Sequence, residues 1–263
     1  PSTPDLIMIG FGLSEEEDGL RELAHDFAVN EMRPVIKHHD QTGEYPWDVI
    51  RKAHELGLMN THIPEKWGGL ALGCVGAAIL SEELAWGCTG IGTAIEANGL
   101  ALQPVIMGGS DYILERYVAP MVEEPIMAAY ALTEPGAGSD LASLTTKATK
   151  VDGGWRITGQ KIWTTGAQFS QWGALLARTD PSAPKHQGIT YFLLDMKAEG
   201  VEVKPLRELT GNAMFNTVFI DDVFVPDDMV LGEVDRGWEV SRNTLTNERV
   251  SIGSSEPPFL ASL

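Results

Sequence analysis

The residues best suited to chemistry lie in one glycine-rich segment, Tyr130 to Asp140. An apolar run leads into it, Thr133 stands at its mouth and Ser139 lies near its end. Gly136 and Gly138 have no side chains, so their amides can lie against a ligand and donate to phosphate or carbonyl oxygens. A tight turn between strands is the alternative, and the third glycine and following helix of a dinucleotide-binding fingerprint are missing.

A second segment, Gly159 to Gly166, reads as a strand that ends in Trp163, Thr164 and Thr165. An indole can lie against a planar cofactor, and a threonine hydroxyl can donate to a ring nitrogen or oxygen. Taken alone, Trp163 is better explained as a core residue of a β domain.

A third segment, Thr246-Asn247-Glu248-Arg249, falls on the last predicted helix. Adjacent helical residues point in different directions, so Glu248 and Arg249 need not be ion-paired. A solvated helix face is the alternative. The only other suggestive cluster, His38-His39-Asp40, has no further ligand at helical spacing, which favours a surface loop and predicts no metal site.

The first part of the chain is predicted to be helical. A capping box at Ser14 predicts an amphipathic helix that Pro34 is expected to close. Further helices are predicted from Pro46 to the residue before Gly57, from Val75 to Trp86, from Gly92 to Met107 and from Asp111 to Val118.

The pattern turns to strands near Pro125. Asp152-Gly153 is a two-residue hairpin signal between runs at 144–151 and 154–163. Further β-rich runs lie at 173–179, 189–196, 201–207 and 215–225, and a helical pattern returns from Gly237 to Arg249. Helices first and strands later favour an α+β protein of two domains over a doubly wound sheet.

Composition excludes several classes of function. The 263 residues include 19 basic and 37 acidic side chains, a net charge of −18, and 43% are hydrophobic. The acidic surface would repel nucleic acid, and no apolar run approaches the roughly 20 residues of a membrane-spanning helix. Neither a signal peptide nor a metal or redox cysteine spacing is visible. We therefore expect a soluble protein of a reducing compartment with no nucleic-acid or membrane partner.

At the three segments together, the sequence resembles the acyl-CoA dehydrogenase family, flavoenzymes that introduce a trans double bond between Cα and Cβ of acyl-CoA thioesters. The resemblance covers essentially the whole chain. Gly43 to Pro46, Leu56 to Pro64 and Ser81 to Ala85 look most like medium-chain enzymes, and Lys161 to Gly253 looks more like bacterial members with Asn-Glu-Arg on this helix.

The family's organisation implies an N-terminal all-helical domain at 1–124 and a middle β-barrel-like or β-sandwich domain at 125–232. The stretch 233–263 would then begin a C-terminal helical bundle, most of which this sequence does not contain.

The resemblance also implies residue roles. FAD would be held by Tyr130, Leu132, Thr133, Gly138, Ser139, Trp163, Thr164 and Thr165. Thr133 and Thr165 stand where the family donates hydrogen bonds to the isoalloxazine, Thr165 toward N5. Acyl-CoA would contact Ser139, Thr246, Asn247, Arg249 and Glu96. Of these, Glu96 matches a residue that lies at the base of the acyl pocket in medium-chain enzymes, and Gly92 replaces a larger residue common there.

The reaction requires a base for the weakly acidic α-hydrogen, and a carboxylate suits if desolvation raises its pKa. Donors to the thioester carbonyl would stabilise enolate character by roughly 3 kcal/mol each. Most of the family carries the base in the C-terminal domain. The isovaleryl and long-chain branches carry it where this sequence has Glu248, which makes Glu248 the predicted base, with Arg249 supplying positive charge beside it.

Partners also follow from the resemblance: an electron-transfer flavoprotein as acceptor, and a homotetramer or heterotetramer when full length. Bacterial cytoplasm is the expected location, with the mitochondrial matrix as alternative. The rival function is a non-catalytic FAD- or acyl-CoA-binding subunit of a heteromeric dehydrogenase. A flavin oxidase or monooxygenase of the same superfamily is a third, and Ser139 and the 246–249 segment count against it.

Overall fold

A computed structural model describes residues 12–254, with side chains described as far as Thr246 in the last helix. The first part of the chain is helical, as predicted. Its helices are α1 (Glu15–Phe27), α2 (Ile36–Thr42), α3 (Trp47–Glu55), α4 (Cys74–Glu96), α5 (Asn98–Gly108), α6 (Asp111–Ile113) and α7 (Pro120–Glu123).

The predicted capping box opens α1. Ser14 Oγ accepts from the Glu17 amide at 3.2 Å, and the Glu17 carboxylate accepts from the Ser14 amide at 2.8 Å. The expectation that Pro34 closes this helical path is wrong. The chain continues through a π-helical turn, Ala28–Met32, and a 3₁₀ turn, Arg33–Val35, into α2. Pro34 stands in the first turn of the 3₁₀ segment Arg33–Val35. Backbone N–H groups in a first turn have no partner within the helix, so a proline costs no hydrogen bond there.

Helix α4 extends further than the sequence predicted, because it continues through a kink. Cys88 has φ −168° and ψ 114°, and helical backbone resumes after it. The second half then packs against the first: a Cβ at Gly92 would lie 3.2 Å from Leu84 Cβ and from its carbonyl carbon. The small residue at 92 therefore serves the packing of α4 on itself.

Among the described residues after α7, eight strands are followed by one long helix. They are β1 (Ala128–Ala131), β2 (Lys147–Val151), β3 (Gly154–Thr165), β4 (Trp172–Arg178), β5 (Ile189–Asp195), β6 (Val201–Leu206), β7 (Phe215–Pro226), β8 (Val230–Leu231) and α8 (Gly237–Ser254). The strands form one sheet in the order β6-β7-β3-β2-β4-β5-β8, with β1 paired in parallel to β4. The β2–β3 hairpin turns at Asp152-Gly153, as predicted.

The sheet packs onto itself. Trp155 of β3 lies 5.6 Å from Phe192 of β5, ring centroid to ring centroid, although β2 and β4 stand between these strands in the sheet. Two register shifts in the β3–β7 pairing interrupt the ladder, and such irregularities let a long strand bend. The α+β order of a helical part followed by a curved β part is confirmed.

The side chains described up to Thr246 form two apolar cores. One lies between α1, α3 and α4, and the other joins side chains of α5 and α6 to both halves of the sheet. Phe169, in the loop after β3, lies 4.7 Å from the Tyr45 ring and 5.3 Å from the Trp47 ring. None of the helices between residues 12 and 254 combines the length and apolar character needed to cross a bilayer.

Candidate functional site

The glycine-rich segment leaves β1 in a tight turn. The Glu134 amide donates to the Ala137 carbonyl at 3.1 Å, and the Ala137 amide donates back to the Glu134 carbonyl at 3.0 Å. A Cβ at Gly136 or Gly138 would meet no atom within 4 Å, so this backbone borders open space. The segment can therefore be both the tight turn and the ligand-binding loop that the sequence offered as alternatives. The turn leaves its glycine backbone facing space that a ligand can occupy.

A buried ion pair holds this loop to β3. The fully buried Lys161 ammonium donates to Glu134 Oε1 at 2.8 Å and to the Leu132 carbonyl at 3.0 Å. Glu134, 4% exposed, also accepts from the Thr145 amide at 2.6 Å, the Thr145 hydroxyl at 2.8 Å and the Thr146 amide at 2.9 Å. Both ends of the pair are thus charged and satisfied.

The electrostatics of this pair favour the ionised carboxylate. Burial alone would raise the pKa of Glu134, but the Lys161 charge and the surrounding donors outweigh it and hold this pKa at about 2. Neither Glu134 nor Lys161 is among the site residues predicted from the sequence. Alternation was the available signal, because Lys161 follows the buried Trp155 and Ile157 at even spacing along β3.

Trp163 does not lie in the core, so the core interpretation of this residue is wrong. The β3 register shifts between Lys161 and Thr164, and Trp163 in between takes φ +61° with 52% of its surface exposed. Its ring lies edge-on to Phe215, 5.6 Å between centroids. A left-handed tryptophan costs about 1 kcal/mol or more, and such strain clusters at functional sites.

The register shift also separates the two threonines that follow. Thr165 is exposed, whereas Thr164 is buried and its hydroxyl has no hydrogen-bond partner among the described residues. The loop and the end of β3 lie together, because the Ile162 amide donates to the Thr133 carbonyl at 2.8 Å. Leu132 is buried, Thr133 half-buried and Ser139 exposed.

The remaining predicted residues lie on helices. Glu96, at the end of α4, accepts from the buried Ser81 hydroxyl at 2.5 Å, and burial raises the pKa of Glu96 against that hydrogen bond. Helix α8 contacts α4 and α5 and carries the exposed Thr246, whose hydroxyl donates to the Arg242 carbonyl at 2.8 Å. The side chains of Asn247, Glu248 and Arg249 lie outside the described residues.

The structure therefore brings together the two segments at Tyr130–Ser139 and Trp163–Thr165, with α4, α5 and α8 packed nearby. Within the described residues, no group of three or more His, Cys, Asp or Glu side chains could hold a metal ion. Exposed indole, open glycine backbone and threonine hydroxyls form a surface suited to a planar, phosphate-bearing ligand.

Comparison with known proteins defines the class. Residues 14–125 match the acyl-CoA dehydrogenase N-terminal domain, and residues 129–223 match the acyl-CoA dehydrogenase middle domain. The chain is 53% identical over 205 residues to the acyl-CoA dehydrogenase FadE34 of Mycobacterium tuberculosis, covering 76% of this chain and 28% of that protein. It is 34% identical over 250 residues to a probable medium-chain specific acyl-CoA dehydrogenase 2 of Caenorhabditis briggsae, covering 94% and 61%.

Solved structures agree. Butyryl-CoA dehydrogenase from Megasphaera elsdenii superposes with a TM-score of 0.87 at 27% identity, covering 94% of this chain and 66% of that one. An acyl-CoA dehydrogenase from Bacillus anthracis, complexed with FAD, gives 0.83 at 26% identity, covering 92% and 42%. The chain belongs to the acyl-CoA dehydrogenase family. It spans between about a quarter and two thirds of the length of these first relatives.

Proposed function

We propose that this chain forms the flavin-binding part of an FAD-dependent acyl-CoA dehydrogenase that oxidises the Cα–Cβ bond of an acyl-CoA thioester. The observation that carries the proposal is the joining of two cofactor segments by the buried Glu134–Lys161 pair, with Trp163 held exposed beside them. Family membership and the FAD-bound structure of the Bacillus anthracis relative support the choice of cofactor.

The residues present fit a flavin. The exposed Trp163 offers a flat apolar face, and the unobstructed backbone at Gly136 and Gly138 leaves room for polar contacts. We assign hydrogen bonds toward the flavin ring to Thr133 and Thr165, which are half-buried and exposed in this structure. Tyr130, Leu132, Ser139 and Thr164 complete the proposed lining. FAD, when bound, supplies the acceptor for the hydride that leaves Cβ.

The chain's own residues would manage the proton and the substrate. We propose that Glu248 removes the α-proton and that Arg249 favours its ionised form and stabilises negative charge on the thioester oxygen. Thr246 and Asn247 would contact the CoA portion on the same helix, and Ser139 would do so from the loop. Glu96 would close the far end of the acyl site, where its raised pKa suits a poorly solvated position.

An electron-transfer flavoprotein is the proposed acceptor of the electrons, and a homotetramer or heterotetramer the proposed assembly. Bacterial cytoplasm is the proposed location, supported by the 53% identity to the mycobacterial relative.

The test is anaerobic addition of butyryl-, octanoyl- and palmitoyl-CoA to the flavin-loaded chain. Bleaching of the flavin band near about 450 nm is expected with at least one of them. Bound flavin that no acyl-CoA bleaches would instead identify the non-catalytic binding subunit. Failure to retain FAD at all would overturn the dehydrogenase function and leave only an acyl-CoA-binding subunit.

A further inference from the structure

A buried tyrosine lies where β1, β5 and α8 meet. Tyr191, on β5, has no exposed surface, and its hydroxyl lies 3.0 Å from the Tyr130 hydroxyl on β1 and 3.3 Å from Ser241 Oγ on α8. Ser241 Oγ also lies 3.0 Å from the Gly237 carbonyl, which can only accept. The Ser241 hydroxyl donates toward the Tyr191 oxygen and the Gly237 carbonyl, and either tyrosine hydroxyl can donate to the other, so the three hydroxyls form one connected chain.

The start of α8 is fixed to the same strand by independent contacts. The Asp235 amide donates to Thr190 Oγ1 at 2.8 Å, and Arg236 forms a β-bridge with Ile189. A Cβ at Gly237 would lie 3.0 Å from the Ile189 carbonyl oxygen, so the backbones touch directly. With the first turn of α8 fixed in this way, Ser241 makes the next contact of the helix with β5 one turn later.

That direction matters because the two connected elements carry the two halves of the proposed site. Strand β1 runs through Tyr130 into the glycine-rich loop, and α8 runs from Ser241 to the 246–249 segment. We infer that Tyr191 is a positioning residue, whose hydroxyl sets the angle of α8 against β1 and thereby places the 246–249 segment relative to the flavin loop. This inference rests on the proposed function.

The chemistry of the phenol suits such a role. Burial raises the pKa of Tyr191 to about 12, so its hydroxyl keeps its proton at every pH at which the protein would work. The Tyr191 side chain is fully buried, so it does not itself contact a ligand in the glycine-rich loop. It acts on the site through its contacts with Tyr130 and Ser241.

The test uses Tyr191→Phe in the full chain loaded with FAD. The limiting rate of flavin bleaching by the best of the three acyl-CoAs should fall about 10-fold, because small misplacements of reacting groups are costly. Its acyl-CoA affinity should stay near the wild-type value. Tyr45→Phe is the control: Tyr45 is a half-buried phenol that donates to the Ala94 carbonyl at 3.3 Å, far from α8 along the chain.

Both variants should lower the thermal midpoint by a few degrees, about 2–4 °C, and only Tyr191→Phe should slow bleaching. Equal losses of rate in the two variants, or a wild-type rate in Tyr191→Phe, would overturn the inference.

Hydrogen exchange gives a readout that does not need the reaction. Amides of α8 between 240 and 245 should exchange about fivefold faster in Tyr191→Phe and at the wild-type rate in Tyr45→Phe, since one hydrogen bond less lowers the cost of local opening. Unchanged exchange there overturns the inference. Faster exchange in a protein whose wild-type flavin no acyl-CoA bleaches supports the coupling and overturns the proposed function alone.

Discussion

Replacing Lys161 with methionine should lower the stability of this protein far more than the small change in side-chain volume suggests. The substitution keeps most of the apolar stem but removes the ammonium that donates to Glu134 Oε1 and to the Leu132 carbonyl. The Glu134 carboxylate, 4% exposed, then keeps its Thr145 and Thr146 donors but loses its countercharge. Removing one partner of a buried ion pair typically costs about 3–5 kcal/mol.

The pKa of Glu134 shifts in the direction this reasoning requires. Burial would raise it, but the Lys161 charge and the Thr145 and Thr146 donors outweigh burial and hold it at about 2. Because the folded pKa is depressed, this stabilisation is present above about pH 4.5 and is lost as the pH falls toward 2. Without Lys161, burial raises the pKa of Glu134, so mild acid can neutralise the stranded charge.

Urea unfolding at several pH values tests this reasoning. At pH 7, Lys161→Met should lower the free energy of unfolding by about 3–5 kcal/mol, and the gap to wild type should narrow as the pH is lowered toward 4. Lys185→Met is the control, because Lys185 and Asp140 form a pair of the same charges at 2.6 Å with half of each side chain exposed. Equal and pH-independent losses in the two variants would refute the account of the buried pair.

Further predictions concern the proposed site. Glu248→Gln should retain FAD and acyl-CoA but lose turnover by about 10²–10⁴, and wild-type turnover in steady-state assays would place the base elsewhere. Arg249→Gln should raise the apparent pKa of that base in the pH–rate profile, because it removes a nearby positive charge. Trp163→Gly should leave the thermal midpoint level or higher, since glycine accepts φ +61°, yet weaken FAD binding about 10-fold by flavin fluorescence. Gly159→Ala should lower stability in urea by about 1–3 kcal/mol, because its Cβ would lie 2.4 Å from Thr146 Oγ1.

Local signals in the sequence predicted most of the fold. The capping box at Ser14 and the Asp152-Gly153 hairpin act between residues close in the chain, and the structure confirms both. The parallel pairing of β1 with β4 depends on residues about forty positions apart, which periodicity does not reveal. The path through Pro34 was missed because this proline stands in the first turn of a 3₁₀ stretch, where proline is tolerated and does not signal a stop.

The candidate site divides in the same way. Residue types and a family resemblance located the loop at 130–139 and the end of β3, and these do lie together. The burial of Lys161 continues the alternation of Trp155 and Ile157 along β3. The exposure of Trp163 follows from a one-residue change of register between Lys161 and Thr164, and neither composition nor motif spacing reports such a shift. The side chains from Asn247 to Arg249 remain predictions from the sequence alone.

The parallel pairing of β1 also bears on how the molecule unfolds. This strand comes directly after the helices, yet its hydrogen bonds go to β4, and the larger apolar core mixes α5 and α6 side chains with the sheet. Unfolding of either the helical part or the β part would expose apolar surface of the other. The two parts should therefore unfold together and not independently. Calorimetry should therefore record one cooperative transition whose calorimetric and van't Hoff enthalpies agree, and the β part produced without its helices should fail to melt cooperatively.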